Sequence, residues 1–142
     1  MKAFLKFGLL SLMTIFLLSG CKKEPLPEDP KPSNKLIGKW DCTYVDEHYL
    51  DFWEDEYIDI VGTPAELGLT LSLEFLESGK FNKVITQDGI PYLQQGNYIY
   101  SEKDNLLSDG SNTYTITFSG NTMSMESVVG ESHRKYKYKK AS

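Results

Sequence analysis

The feature that most constrains the fold of this chain is an alternation of apolar and polar side chains within short segments. From Leu69 to Phe75 the odd positions are apolar and the even positions are polar. Tyr114, Ile116 and Phe118 alternate with threonines in the same way. Because successive side chains of a β-strand point to opposite faces of a sheet, this pattern is typical of strands with one face in a core and one in water. The chain is therefore predicted to be all-β.

Turn sequences that contain glycine separate these segments, for example Ser78-Gly79 and Ser119-Gly120. Together with the alternation, they delimit about eight strands. The predicted strands cover residues 37–46, 69–77, 80–87, 95–101, 105–108, 112–118, 121–127 and 132–139. Short strands with tight turns favour a sandwich or an up-and-down barrel, and pairing of the last strand with the first would remove the exposed edges.

The lengths of the connections distinguish these two folds. In a meander, the connections after the second, fourth and sixth strands lie at one end, and all three are short. The other end carries the longer connections, above all the segment from Glu47 to Gly68. One closed end and one end with loops form a cup. We therefore predict an eight-stranded antiparallel up-and-down barrel with a long first connecting loop.

That first connection is rich in acids and aromatic residues. Leu50, Trp53, Tyr57 and Ile60 have the spacing of a helical face, and an irregular loop is the alternative. Residues 63–66, Thr-Pro-Ala-Glu, predict a short helical turn in which the threonine is the N-cap and the glutamate reaches back to it.

The N-terminal region has the pattern of an export signal. Residues 1–20 carry Lys2 and Lys6, then an apolar run that is shorter than the about 20 residues of a membrane-spanning helix. Leu18-Ser19-Gly20-Cys21 resembles the lipobox of bacterial lipoproteins, in which the cysteine is lipidated after cleavage. We predict a lipoprotein signal peptide at 1–20, lipidated Cys21 with a Pro-rich linker at 21–34, and one β-barrel domain at 35–142.

Charge and cysteine content exclude some functions. Loss of residues 1–20 removes two lysines and no acid, which changes the formal net charge from −5 to about −7. An acidic domain argues against nucleic acid as a partner. With Cys21 lipidated, Cys42 has no cysteine partner in the chain and is predicted to be a small buried residue of a strand.

Gly38-Lys39-Trp40, at the start of the first predicted strand, resembles the Gly-X-Trp motif of lipocalins. With the lipobox, the linker and the strand pattern, the chain resembles the small lipocalin-like lipoproteins of Bacteroidetes. This resemblance implies a barrel open at one end, with Gly38 and Trp40 as structural residues at the closed end. It also implies a lipid anchor in the cell envelope, in the outer membrane, and in many members a small apolar ligand inside the barrel.

The last strand departs from the lipocalin pattern. Many lipocalins stack an arginine from the end of this strand on the tryptophan. The chain has one arginine, Arg134, at the start of the last predicted strand and so at the opposite end from Trp40. Lys139 or Lys140 is the candidate substitute.

Two functions follow as alternatives. In the first, the barrel binds a small apolar or amphipathic molecule, with the first connection as a lid over the mouth. In the second, the barrel is filled and serves as a structural or protein-interaction module, and Phe52 and Trp53 lie against the outside of the sheet. The predicted ligand-binding residues are Tyr44, Trp53, Leu71, Ile85, Tyr114, Met125 and Tyr136.

The remaining patterns predict no reaction. The acids of residues 51–59 lack the glycine spacing of a calcium loop, and His48 with His133 provides too few ligands for a metal site. No nucleophile elbow, paired-cysteine motif or phosphate-binding loop is present in the sequence. We therefore expect a protein that is not an enzyme, with no cofactor and no bound metal.

Overall fold

A computed structural model describes residues 35–142, which form one ten-stranded antiparallel sheet. The strands are β1 (Gly38–Asp51), β2 (Glu56–Gly62), β3 (Leu69–Phe75), β4 (Lys80–Gln87), β5 (Ile90–Asn97), β6 (Ile99–Ser101), β7 (Leu106–Ser108), β8 (Thr113–Ser119), β9 (Thr122–Val129) and β10 (Ser132–Lys140). They run mostly up and down in a strongly curled open sheet, a half-barrel that turns through 247°. The predicted all-β antiparallel architecture is confirmed.

The first and last long strands lie side by side in the middle of the sheet. The strand order is β5-β4-β3-β1-β10-β9-β8-β7-β6, and β2 pairs separately with β1. Trp40 lies opposite Lys140 and His48 opposite His133, so β10 runs antiparallel to β1. The predicted pairing of the last strand with the first is confirmed.

The prediction of a closed eight-stranded barrel is wrong. β5 pairs with β4 and β6 pairs with β7, but β5 and β6 form no ladder although only Tyr98 separates them in the chain. The turn at Asp88 and Gly89, both at positive φ, starts β5 at Ile90 and holds it on β4. β6 and β7 have three residues each and are too short to pair along the eight residues of β5. The sheet therefore stays open between β5 and β6.

The predicted first connecting loop is largely a β-hairpin. β1 continues to Asp51, residues 52–55 turn, and β2 returns with Tyr57 opposite Leu50 and Gly62 opposite Val45. The helical spacing was misleading because β-branched residues of this segment, such as Ile58 and Ile60, fit a strand whose inner face is half-buried.

The turn predicted at residues 63–66 is confirmed. The backbone N–H of Thr63 donates to the Glu66 carboxylate at 2.8 Å, and the backbone N–H of Glu66 donates to the Thr63 hydroxyl at 3.3 Å. This reciprocal pair is a capping box. The amide of Thr63 lowers the pKa of Glu66 because it stabilises the carboxylate.

A β-bulge at Thr43 decides which side chains of β1 face the interior. The register against β10 advances by one residue while β1 advances by two, from Cys42 to Tyr44. The extra residue reverses the alternation, so that even positions face inward before it and odd positions, beginning with the buried Val45, face inward after it. Tyr44 thus lies on the outer face, where the Lys137 ammonium is 5.4 Å from its ring centre.

Trp40 is buried at the end of the half-barrel that carries the β3–β4 and β8–β9 turns, which we call the closed end. Its side chain is 1% exposed, its indole N–H donates to the carbonyl of Leu36 at 2.8 Å, and its ring centre is 5.9 Å from that of Phe118. Gly38 has a φ of 116°, and a Cβ at this position would lie 3.3 Å from Cε of Lys140. Glycine therefore lets the chain turn beneath the lysine that covers the tryptophan.

Candidate ligand-binding cavity

The concave face of the sheet contains a cavity of about 380 Å³ above the closed end. It is lined by β1, β3, β4, β5, β7, β8, β9 and β10 and by the connection between β7 and β8. The apolar part of its wall consists of Leu73, Phe75, Phe81, Leu107, Met125 and Tyr138, all of which are buried. These residues have the inward phase of the alternation, so the same pattern that builds the core provides an apolar lining.

Tyr136 is at the centre of the polar part of the wall. Its hydroxyl donates a hydrogen bond to Oε1 of Glu47, on the neighbouring strand. Burial, reinforced by this carboxylate, raises the pKa of Tyr136 far above its usual range. The Lys83 ammonium lies 5.7 Å from the Tyr136 ring centre. Because β4 and β10 are not neighbours in the sheet, Lys83 makes this contact across the concave face.

Arg134 occupies the mouth of the cavity. Its Nη1 donates to Oδ1 of Asn112 at 3.1 Å, and its guanidinium carbon is 5.8 Å from the Tyr49 ring centre. Burial and the charge of Asp109 raise the pKa of Tyr114, while Arg134 acts in the opposite direction. The mouth therefore combines a guanidinium with aromatic and amide groups.

The β7–β8 connection is held by a local carboxylate contact. Oδ1 of Asp109 accepts hydrogen bonds from the backbone N–H groups of Ser111 and Asn112, at 2.9 and 2.7 Å. Gly110, between Asp109 and Ser111, has a φ of 89°, which favours glycine. This turn presents Asn112 to Arg134.

A second depression of about 520 Å³ adjoins the cavity at its mouth. The two share Tyr49, Ser111, Asn112 and Arg134 as lining residues. The outer part of the depression is formed by the tip of the β1–β2 hairpin, where Trp53 is 96% exposed. The cavity and the depression are therefore continuous around Arg134.

A third depression, of about 730 Å³, lies at the gap between β1 and β3. Its wall includes exposed residues such as Lys39, Asp41 and Thr70, which belong to the outer face. It lacks the aromatic lining of the concave cavity, so the concave cavity is the candidate site.

The predicted ligand-binding residues are only partly brought together. Tyr114, Met125 and Tyr136 line the cavity. Leu71 and Ile85 lie opposite each other on β3 and β4 and belong to the core, outside the cavity lining. The other two also lie outside it, Tyr44 on the outer face and Trp53 at the hairpin tip.

Sequence reasoning missed the charged residues of the cavity, above all Glu47, Lys83 and Arg134. Lys83 lies between Phe81 and Ile85 in the inward phase of β4, so the alternation could have revealed it. Arg134 is likewise in phase with Tyr136. The alternation could not have revealed Glu47, because the bulge at Thr43 changes which residues of β1 face inward.

The cysteine and histidine residues considered above lie outside the cavity lining. Burial raises the pKa of the Cys42 thiol to about 11, and its Sγ donates to the Tyr44 carbonyl at 3.4 Å. Such a thiol is a weak nucleophile at neutral pH. The rings of His48 and His133 stack with centres 5.6 Å apart, and each contacts an aspartate, Asp59 and Asp46 respectively. Within residues 35–142, no three His, Cys, Asp or Glu side chains are grouped as a metal site would require.

The chain matches no protein-family model, and a search of curated proteins finds no significant relative. None of the residues from 35 to 142 belongs to a helix that is long and apolar enough to span a membrane.

Proposed function

We propose that this protein is a lipid-anchored lipoprotein of the cell envelope that binds a small amphipathic molecule without transforming it. The observation that carries the proposal is the cavity of about 380 Å³, in which aromatic and aliphatic side chains lie beside charged ones. Small-molecule sites are concave and roughly 300–1,000 Å³ in volume, and they combine apolar side chains with polar groups that orient the ligand. The cavity is concave and has a volume in this range, and its larger share of polar groups favours an amphipathic ligand over a purely apolar one.

The position of the linker supports a mouth that is open to the surroundings. Residue 35 lies at the closed end, where the ammonium of Lys140 donates to the Lys35 carbonyl at 3.3 Å. The predicted anchor at Cys21 lies outside the described residues, and the linker that follows it joins the domain at this end. The mouth near Arg134 then faces away from the anchored end, toward ligand in solution or on a partner.

Native mass spectrometry of the full-length protein, extracted from its membrane, tests the binding function. We expect a bound species of small mass that dissociates on collisional activation. Met125→Trp places a larger side chain in the cavity wall and should abolish the adduct, whereas Val128→Trp, on the same strand but 66% exposed in the wild type, should retain it. Circular dichroism and melting temperature establish that both variants fold. An adduct retained by a folded Met125→Trp protein would contradict binding in this cavity.

One observation favours a second function, that of a protein-interaction module. At the tip of the β1–β2 hairpin, Phe52 is 88% and Trp53 is 96% exposed, with acids on both sides. Exposed aromatic residues are enriched where proteins bind one another. If this is the main function, Phe52→Ser with Trp53→Ser should abolish crosslinking to an envelope partner while leaving any cavity adduct unchanged.

A further inference from the structure

We infer that the ligand of this cavity carries one anionic head group, which Lys83 and Arg134 bind together at the mouth. This inference rests on the proposed binding function and specifies its ligand class: an apolar chain that ends in a carboxylate or a phosphate. Four charged side chains line the cavity, those of Glu47, Lys83, Asp109 and Arg134, and they differ in the partners that they already have.

Lys83 is a half-buried cation without a carboxylate partner among the described residues. The close contacts between a basic side chain and a carboxylate among these residues are His48 with Asp59, His133 with Asp46, and Lys135 with Glu126. The ammonium of Lys83 instead lies over the Tyr136 ring, inside the concave face. Removing a cation from water is unfavourable unless an opposite charge or hydrogen bonds replace the water. An anion in the cavity would provide both.

Arg134 has donors to spare. Its Nη1 bonds to the Asn112 amide oxygen, and no carboxylate of the described residues forms an ion pair with it. A guanidinium has five N–H donors in a planar fork that matches the oxygens of a carboxylate or phosphate. Ser111 also lines the cavity mouth, and a serine hydroxyl can donate a further hydrogen bond to a ligand.

The two acids of the cavity already have donors of their own. Glu47 accepts the Tyr136 hydroxyl, and Asp109 accepts the backbone N–H groups of Ser111 and Asn112. Each carboxylate is thus stabilised within the wall. The hydrogen-bond donors that remain for a ligand therefore belong mainly to the two cations.

The arrangement also gives the ligand an orientation. Arg134 lies at the mouth, whereas Phe75 and Phe81 lie toward the closed end, near the strand pairs with Gly38 and Gly96. A chain that places its head at Arg134 would therefore direct its apolar tail at these two rings.

Calorimetric titration of the purified full-length protein with four eight-carbon molecules tests the inference. The molecules are octanoate, octyl phosphate, octanol and octylamine, which share a tail and differ in their heads. We expect octanoate or octyl phosphate to bind more tightly than octanol, and octylamine to bind least. The comparison of octanoate with octyl phosphate tells whether a fatty acid or a phosphate-bearing lipid is the better match.

Three variants identify the groups responsible. Lys83→Met and Arg134→Gln should each weaken anion binding on the order of tenfold or more, the range for loss of a hydrogen bond to a charged group. Glu47→Gln removes a negative charge near the head and should strengthen anion binding. Lys137→Met is the matched control, because this lysine makes the same kind of ring contact with Tyr44 on the outer face.

The outcomes separate this inference from the function on which it rests. Equal affinity for octanol and octanoate, unchanged by Lys83→Met, would overturn the selection of an anion while leaving ligand binding in place. Preference for octylamine, reduced by Glu47→Gln, would overturn it in favour of a cation. If none of the four molecules binds and the native protein carries no adduct, the proposed function fails together with the inference.

Discussion

The ammonium of Lys140 lies 4.9 Å from the centre of the Trp40 ring at the closed end of the half-barrel. It also donates to the carbonyl of Ile37 at 2.8 Å, so one side chain covers the indole and ties down the segment that precedes β1. Of the two lysines expected from the sequence to cover Trp40, Lys139 and Lys140, it is Lys140 that makes the contact.

This contact predicts a measurable loss of stability in Lys140→Met. A partly desolvated cation–π contact contributes about 0.5–2 kcal/mol, and loss of the hydrogen bonds adds to this. We expect the free energy of unfolding, measured by urea denaturation, to fall by about 1–3 kcal/mol. Lys139→Met alters the adjacent exposed lysine and is the control. Equal curves for the two variants would show that the contact contributes nothing.

Gly38→Ala should also destabilise the closed end. Alanine at a φ of 116° is strained, and its Cβ would lie 3.3 Å from the side chain of Lys140. Residues held in such a backbone region cost about 1–3 kcal/mol. Gly89→Ala is the control, because Gly89 also has a positive φ of 76° but no atom lies within 4 Å of the added methyl group. We expect a larger loss of stability in Gly38→Ala than in Gly89→Ala, from the less favourable φ and the crowding by Lys140 together, and equal losses would contradict this.

Deletion of Thr43 should remove the bulge and keep the fold. Cys42 and Tyr44 would become neighbours opposite two consecutive residues of β10, so Val45 and Glu47 would still face inward. Deletion of Asp46, in the regular part of β1, would instead turn Glu47 toward the outer face and should destabilise the domain. We expect the β signal in circular dichroism to be retained by the first variant and weakened in the second. Loss of the β signal in the Thr43 deletion protein alone would contradict this role of the bulge.

The same bulge shows where sequence reasoning reaches its limit. Alternation identified β3, β8 and β10 because regular strands keep their phase, and it placed Tyr114 and Tyr136 correctly on the inner side. It misplaced Tyr44 because a single unpaired residue reverses the phase without leaving a mark in the pattern.

Closure of the barrel was beyond the same reasoning for another reason. β5 has a free edge because β6 and β7, with three residues each, are too short to pair along it. The length of a strand depends on packing more than on the β-propensity of its own residues. The charged residues of the cavity could have been predicted in part, because Lys83 falls at an inward-facing position of β4 in the alternation. The position of Lys83 over the Tyr136 ring is a contact across the curled sheet, which no local pattern contains.

The lipid anchor is tested by Cys21→Ala. If the cysteine is the lipidation site, its thiol forms the attachment to the membrane, and two or more acyl chains hold a protein stably on a bilayer. The variant should leave the membrane fraction or keep its signal peptide, as judged by fractionation and intact mass. Cys42→Ala, which removes the other cysteine, should behave as the wild type. A Cys21→Ala protein that is processed and still membrane-bound would make the prediction wrong.

Alkaline pH should unfold the domain through its buried tyrosines. Burial raises the pKa values of Tyr114, Tyr136 and Tyr138 above the ordinary value of about 10, because a tyrosinate is poorly solvated in the core. A group with a raised folded-state pKa stabilises the fold fully below the unfolded pKa, and this contribution is lost as the pH rises toward the folded value.

We therefore expect the free energy of unfolding to be flat with respect to these groups below about pH 9 and to fall above about pH 10. Each tyrosine that is protonated in the folded state and ionised in the unfolded state contributes a slope of about 1.4 kcal/mol per pH unit. Urea denaturation at a series of pH values gives the slope, and tyrosinate absorbance gives the ionisation. Tyr138→Phe should reduce the slope by one such contribution if the variant folds. Gradual ionisation of all the tyrosines near pH 10, with the β signal intact, would show that these hydroxyls are not sequestered in the core.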